Sequence, residues 1–264
     1  MRAKKHLGQN FLRSKKIVER IALTSKPTVE DTIIEIGPGK GILTEALLRT
    51  GAKVIAIEKD KELIEPLQKK FFEEIQKNQL LLTEEDVLNI HIDSIIPKEK
   101  KYQIIANIPY YITGEILRKF LEAEHKPHSM TLLVQKEVAV RIVAHDKKES
   151  ILSLSVKIFG TPKIIEIVKR TMFTPAPSVD SAVLFVDAIS DKKLQMHNIA
   201  VADYFEIIKK AFSQKRKQLL GNLKSYNKTQ ELKKYLEEKN ISITVRAEDI
   251  PESLWGDIVK ITLK

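Results

Sequence analysis

The sequence contains no cysteine. That one absence excludes structural disulfides, cysteine-ligated zinc, iron–sulfur clusters and a thiol nucleophile, and what remains suits a reducing cytosol. Long apolar runs are missing too: nothing approaches the roughly 18–20 consecutive residues that a membrane span needs. The opening Met1-Arg2-Ala3-Lys4-Lys5-His6-Leu7-Gly8 is basic but has no apolar core behind it, so no secretory signal is expected. Internal repeats and low-complexity tracts are absent. The histidines (His6, His91, His125, His128, His145, His197) show no metal-ligand spacing. The single tryptophan, Trp255, sits in a helical pattern and reads as core rather than as a platform for a base.

What is present is an ordinary globular mixture. The chain has 264 residues, 43% hydrophobic and 30% charged, enough for one large domain with a small appendage. Its net charge of +10 is unevenly placed. Residues 1–16 carry six Lys/Arg and no acid, and residues 205–234 carry nine Lys/Arg against two acids, so the rest of the chain is close to neutral. An isolated basic run is as often a solvated helix face. Two such runs flanking a near-neutral body suit a polyanion, because neutralised phosphates release counterions.

From Ile33 to about Leu133, short apolar runs alternate with segments of helical period. Strands are expected at Ile33–Ile36, Val54–Ile57, Leu80–Leu82, Ile104–Ala106 and Thr131–Val134. A helix is expected over 60–76 and another around Ile116–Leu121. Such alternation implies right-handed crossovers and a mostly parallel sheet covered on both faces, a doubly wound α/β domain. Ile164–Val168 and Ala182–Val186 read as a further pair of strands around the loop Thr174-Pro175-Ala176-Pro177. Residues 151–159 alternate as a strand does, yet fit a buried helix equally. After about Asp187 the strand signal stops, which sets domains at 1–188 and 189–264, the second small, basic and helical.

Four elements carry chemistry. Glu35-Ile36-Gly37-Pro38-Gly39-Lys40-Gly41 is a glycine-rich turn between strand and helix, where the backbone can approach a ligand. Taken alone it is equally a tight turn, and its spacing departs from the phosphate-cradling pattern. Glu58 ends the second strand 21 positions after Gly37, where a carboxylate grips a ribose diol. Asp86 follows the third strand, placed to accept from an adenine amino group. Asn107-Ile108-Pro109-Tyr110-Tyr111 follows the fourth. There an amide oxygen and a backbone carbonyl offer two acceptors to an exocyclic amine, and Tyr110 offers a ring to stack on a base taken out of its helix.

These residues, in this order, resemble the ribosomal RNA adenine dimethyltransferases of the kasugamycin-sensitivity family and, more distantly, the erythromycin-resistance methyltransferases. The resemblance runs from Lys5-His6-Leu7-Gly8-Gln9-Asn10-Phe11-Leu12 through the glycine turn, Glu58, Glu85-Asp86-Val87, Asn107-Ile108-Pro109-Tyr110 and Val134-Gln135-Lys136-Glu137-Val138-Ala139. It continues through Phe173-Thr174-Pro175-Ala176-Pro177-Ser178-Val179-Asp180-Ser181-Ala182 to Ala211-Phe212-Ser213-Gln214-Lys215-Arg216-Lys217. Two positions depart from the family: Val140, where an acid is usual, and Gly114, where a proline often follows the threonine.

The resemblance implies a Rossmann-like class I S-adenosylmethionine-dependent methyltransferase domain, no metal, and dimethylation of two adjacent adenosines in the 3′-terminal hairpin loop of small-subunit (16S) rRNA. It also implies a cytoplasmic monomer with no membrane contact, working on a pre-assembled small ribosomal subunit and linked to its biogenesis. Residue by residue, Asn10 and Leu12 would close over the cofactor, Gly37 and Gly39 approach its methionine part, Glu58 hold the ribose and Asp86 the adenine. Asn107, also expected to touch the cofactor, would with the Ile108 carbonyl orient the target amine, Tyr110 would stack on the base and Phe173 would cover its other face. Lys209, Lys210, Lys215, Arg216 and Lys217 would contact phosphates, which positions RNA without reading its sequence. The resemblance favours a helix for 151–159. Two other readings share the fold: a large-subunit rRNA methyltransferase conferring macrolide resistance, and a non-catalytic assembly or transcription factor.

Overall fold

The computed structural model describes residues 9–264; Arg2, Lys4 and the Lys5-His6-Leu7-Gly8 motif lie outside the described residues. Nine strands are described: β1 (Phe11–Leu12), β2 (Thr32–Ile36), β3 (Lys53–Glu58), β4 (Leu80–Glu84), β5 (Tyr102–Asn107), β6 (Ser129–Gln135), β7 (Thr161–Val168), β8 (Phe173–Thr174) and β9 (Ser181–Asp187). The helices are α1 (Lys15–Leu23), α2 (Ile42–Leu48), α3 (Lys61–Lys70), α4 (Phe72–Gln76), α5 (Thr113–Leu121), α6 (Lys136–Val143), α7 (Ile151–Lys157), α8 (Lys192–His197), α9 (Val201–Ala211), α10 (Leu219–Asn222), α11 (Thr229–Glu238) and α12 (Trp255–Leu263).

Seven strands form one sheet in the order β4-β3-β2-β5-β6-β9-β7. The run β4 to β6 is parallel, and β9 joins β6 antiparallel. The central strands are apolar runs because both faces are covered: every residue of β2 is buried. The edge strand β4 exposes Leu81. The chain moves outward from β2 to β4 and then returns to β5 on the other side of β2. Loops leaving the carboxyl ends of β2 and β5 therefore diverge, and the crevice between them is where open α/β sheets bind ligands. A doubly wound domain is what the alternating pattern predicts.

Local signals explain the helix boundaries. Ser14 caps α1 by accepting from the Ile17 N–H at 3.5 Å, and Asp60 caps α3 by accepting from the Glu62 N–H at 3.2 Å. The helix expected over 60–76 is instead two helices that meet at Phe71. Its backbone leaves the helical region (φ −112°, ψ 31°) as its side chain turns inward into the core. Residues 151–157 are helical, in line with the resemblance and against the alternation. Ser150 and Ser153 close a capping box at the helix start, with Ser150 accepting at 3.1 Å and Ser153 at 2.7 Å.

The chain divides into two compact units, residues 1–139 with 162–189, and 140–161 with 190–264. The second boundary falls within two residues of the expected 188/189 junction. Residues 140–161, however, belong to the same unit as the helical tail. The Ser190 N–H donates to the Phe159 carbonyl at 2.8 Å, the Glu149 N–H to the Glu248 carbonyl at 2.7 Å, and the Phe159 and Phe205 rings lie 6.4 Å apart. The core of the second unit includes Tyr204, Leu232, Leu236 and Ile258, with Trp255 fully buried and Phe212 stacked on it at 5.6 Å. No described helix is long and apolar enough to cross a membrane.

Candidate active site

The crevice at the carboxyl ends of β2 to β5 is a cleft of about 310 Å³, at the low end of the ligand-pocket range. It lies wholly within the first unit. One side is the glycine turn. Gly37, Gly39 and Gly41 all have positive φ (65°, 61° and 72°), a region that side-chain-bearing residues occupy at a cost of about 1–2 kcal/mol. At Gly39 a Cβ would stand 3.1 Å from the Phe11 ring, and at Gly41 only 2.5 Å from the Phe71 ring. The inward turn of Phe71 thus has a partner: it packs under the glycine loop. Lys70, at the end of α3, donates to the Gly41 carbonyl at 3.2 Å and ties the loop down from outside.

Acids mark the ends of β2 and β3 and the loop after β4. Glu58 is buried, with its two carboxylate oxygens accepting from the Gly39 N–H at 3.1 Å and the Asp60 N–H at 2.8 Å. Burial pushes its carboxyl up and those backbone donors pull it back. Asp60 is buried in turn and accepts from the Gln9 side-chain amide at 2.8 Å. Asp86 accepts from Lys59 Nζ at 2.7 Å and the Leu88 N–H at 3.0 Å. Partial burial works against its charge, but the Lys59 ammonium and that N–H outweigh it and hold the carboxyl below its ordinary range. Glu35 is the third acid, 1% exposed and pushed up to about 8, first by burial and further by the Glu58 charge. Its Oε2 is buried without a hydrogen-bond partner.

The other side of the cleft is the turn after β5. Asn107 Nδ2 donates to the Asn10 carbonyl at 3.2 Å, which leaves Oδ1 as the acceptor of that amide. Ile108 is buried and Tyr110 half-buried, and the Tyr110 carbonyl accepts from the Thr113 hydroxyl at 3.0 Å. The Tyr110 hydroxyl lies 2.6 Å from Ser181 Oγ. Tyr111 is 60% exposed at the rim. Over the cleft lies β1, a short strap paired antiparallel with β8, Phe11 opposite Thr174 and Leu12 opposite Phe173. Lys40 Nζ stands 4.9 Å from the centre of the Phe11 ring.

Most of the residues singled out in the sequence therefore meet at one place: Asn10, Leu12, Gly37, Gly39, Glu58, Asp86, Asn107, Ile108 and Tyr110 all line the cleft. Phe173 does not. Its ring is 2% exposed and belongs to the hydrophobic core with Leu12 and Val183, because β8 turns that side chain inward beneath the strap. It pairs with Leu12, which does line the cleft. Sequence reasoning gave no role to Glu35 or Ser181, although both stand inside quoted motifs. A carboxylate inside a strand of isoleucines, just before a glycine turn, is the one signal that could have marked Glu35.

Comparison with known proteins is consistent across sequence and structure. The family described as ribosomal RNA adenine dimethylase matches residues 1–264. A "Ribosomal RNA small subunit methyltransferase A" of Mycoplasmopsis pulmonis is 42% identical over 253 residues, covering 95% of each chain. Its namesake in Fusobacterium nucleatum is 37% identical over 262 residues, 98% of this chain and 97% of the other. Among solved structures, a dimethyladenosine transferase from Plasmodium falciparum has a TM-score of 0.77 at 25% identity over 95% of both chains. The 23S rRNA methyltransferase ErmE has a TM-score of 0.80 at 22% identity, over 97% of this chain and all of the other. At that identity the likeness is one of fold, the class I methyltransferase arrangement.

Proposed function

Because the chain belongs to the ribosomal RNA adenine dimethylase family, we propose that it transfers methyl groups from S-adenosylmethionine to the exocyclic amino groups of two adjacent adenosines in the 3′-terminal hairpin loop of small-subunit rRNA. The substrate is the RNA within a pre-assembled small subunit, the setting is the cytoplasm, the enzyme works as a monomer, and the modification belongs to subunit biogenesis. The observation that carries the reading is the Asn107 amide, held by the Asn10 carbonyl at 3.2 Å beside a half-buried tyrosine in the cleft.

The residues present suit an adenosine-bearing cation. Carboxylates converge on a cleft with no phosphate-cradling loop, and a buried carboxyl oxygen of Glu35 has no partner within the protein. Glu58 would hold the ribose hydroxyls, Asp86 the adenine amine, and the Gly37 and Gly39 backbones the methionine part, with Asn10 and Leu12 closing above. S-adenosylmethionine supplies an already activated methyl group on a positively charged sulfonium. The protein is then asked chiefly for position and orientation. Asn107 Oδ1 and the Ile108 carbonyl accept from the two N–H groups of the adenine amine, turn its nitrogen towards tetrahedral geometry and aim its lone pair at the methyl carbon. Tyr110 stacks on the extruded base, and Phe173 acts from below by fixing Leu12.

In the second unit, Lys215, Arg216 and Lys217 are exposed and follow α9; they suit RNA phosphates. Relatives at 36–42% identity carry small-subunit names, whereas the large-subunit enzyme shares fold alone. The test is transfer of radiolabelled methyl to unmethylated small subunits, large subunits and bare DNA, with digestion to nucleosides. Dimethyladenosine from small subunits alone is expected. Label in large subunits would move the target, and tight subunit binding without label would replace the enzyme with an assembly factor.

A further inference from the structure

Ser181 has no surface. It opens β9 opposite Gln135 of β6, is fully buried, and has its hydroxyl 2.6 Å from that of Tyr110. Tyr110 is thereby held at both ends, its carbonyl by the Thr113 hydroxyl at 3.0 Å and its phenol by Ser181. The phenol stays protonated, since burial raises its pKa above the ordinary tyrosine value, so the contact is a neutral hydroxyl pair.

The segment that leads to Ser181 begins with β8, whose Phe173 and Thr174 pair with Leu12 and Phe11 of the strap. The Arg13 N–H donates to the Met172 carbonyl at 2.8 Å and extends that pairing. Just before Ser181, Asp180 is fixed three times: its side chain accepts from the Arg170 N–H at 3.0 Å and Lys169 Nζ at 3.1 Å, and its carbonyl from the Lys136 N–H at 3.0 Å. Residues 173–181 are therefore anchored at both ends, one against the strap over the cleft and the other against the ring beside Asn107.

We infer that this segment is a brace that sets the Tyr110 ring relative to the strap, and that Ser181 is the positioning residue through which it acts on the target base. The inference rests on the proposed methyl transfer and adds to it a residue that touches neither donor nor acceptor. A hydroxyl pair of this kind restrains ring rotation without contributing to ligand binding, so its loss falls on the rate of transfer rather than on affinity.

A double-mutant cycle of Ser181→Ala and Tyr110→Phe tests it, read in two ways. Methyl transfer to small subunits is expected to lose about five- to tenfold in kcat in each single variant, the scale of one neutral hydrogen bond. The double variant should be no slower than either, with KM for subunits and Kd for S-adenosylhomocysteine within about twofold of wild type. Melting temperatures of the free protein should show the same non-additivity. Coupled melting with additive or absent losses in kcat would reduce Ser181 to a structural residue and overturn the inference. A wild-type protein that transfers no methyl, yet shows coupled melting, would overturn the functional reading itself. Should Ser181→Ala fail to fold, Tyr110→Phe decides alone, and an unchanged kcat rejects the brace.

Discussion

Asn107 and Asn10 are 97 positions apart in sequence, and the side-chain amide of one donates to the backbone carbonyl of the other at 3.2 Å. The strap over the cleft thus chooses which way the Asn107 amide faces, and on the proposed reading that choice would decide whether an acceptor or a donor meets the target amine.

Asn107→Ala is expected to cut kcat by about two to three orders of magnitude, the scale of removing one preorganised polar group from a reacting centre. Binding of RNA, measured by filter retention, should stay near wild type. Equal transfer rates in variant and wild type would remove Asn107 from the mechanism.

Glu58→Ala acts on the opposite wall. The substitution removes the acceptor for the Gly39 and Asp60 N–H groups and the proposed ribose contact together. Calorimetric Kd for S-adenosylhomocysteine should rise about 10- to 100-fold, in keeping with about 1.5–3 kcal/mol for a charge-assisted hydrogen bond. Affinity for RNA should hardly move, and unaltered cofactor affinity would dismiss the role.

Glu35 makes stability depend on pH. Burial, reinforced by the Glu58 charge and offset by Thr44 and Lys70, lifts its carboxyl from the ordinary range to about 8. Between the ordinary range and about 8 the folded protein keeps a proton that the unfolded chain releases. Stability therefore falls as pH rises through that window, by at most ~1.4 kcal/mol per unit from this group, and levels off above it. Glu35→Gln, which mimics the protonated form, should flatten the curve of urea midpoints against pH. Parallel curves for the two proteins would show that the group does not titrate there.

Replacing Lys215, Arg216 and Lys217 together by alanine should weaken RNA binding and make it less sensitive to salt. Loss of three phosphate contacts lowers the slope of log K against log salt by about 2. An unchanged slope would place these cations away from the RNA.

The sheet was legible because strands near its centre hold short apolar runs such as Val54–Ile57 and Ile104–Ala106, and these alternate with segments of helical period. The acids and Asn107 were legible because each stands at a strand end, where the order of elements alone predicts convergence. The break at Phe71 was hidden because an inward-turned phenylalanine fits a helical pattern as well as a kink does. The burial of Phe173 was hidden for a related reason: a motif gives a residue's presence, whereas the direction of its ring depends on the pairing of β8 with β1, two strands of two residues each. The segment 151–157 shows the limit of period counting, since Leu152, Leu154 and Val156 alternate and are nonetheless helical.

The reversal of strand order beside β2 divides the walls of the cleft between two stretches of the chain. The glycine turn, Glu58 and Asp86 come from the outward-running half of the chain, while Asn107 and Tyr110, with Ser181 behind them, come from the returning half. On the proposed reading, substitution of Tyr110 would act on the base while the contacts proposed for Glu58 stay as they are. A sheet wound in this way leaves the two walls of one cleft on separate stretches of sequence, each fixed by its own strands.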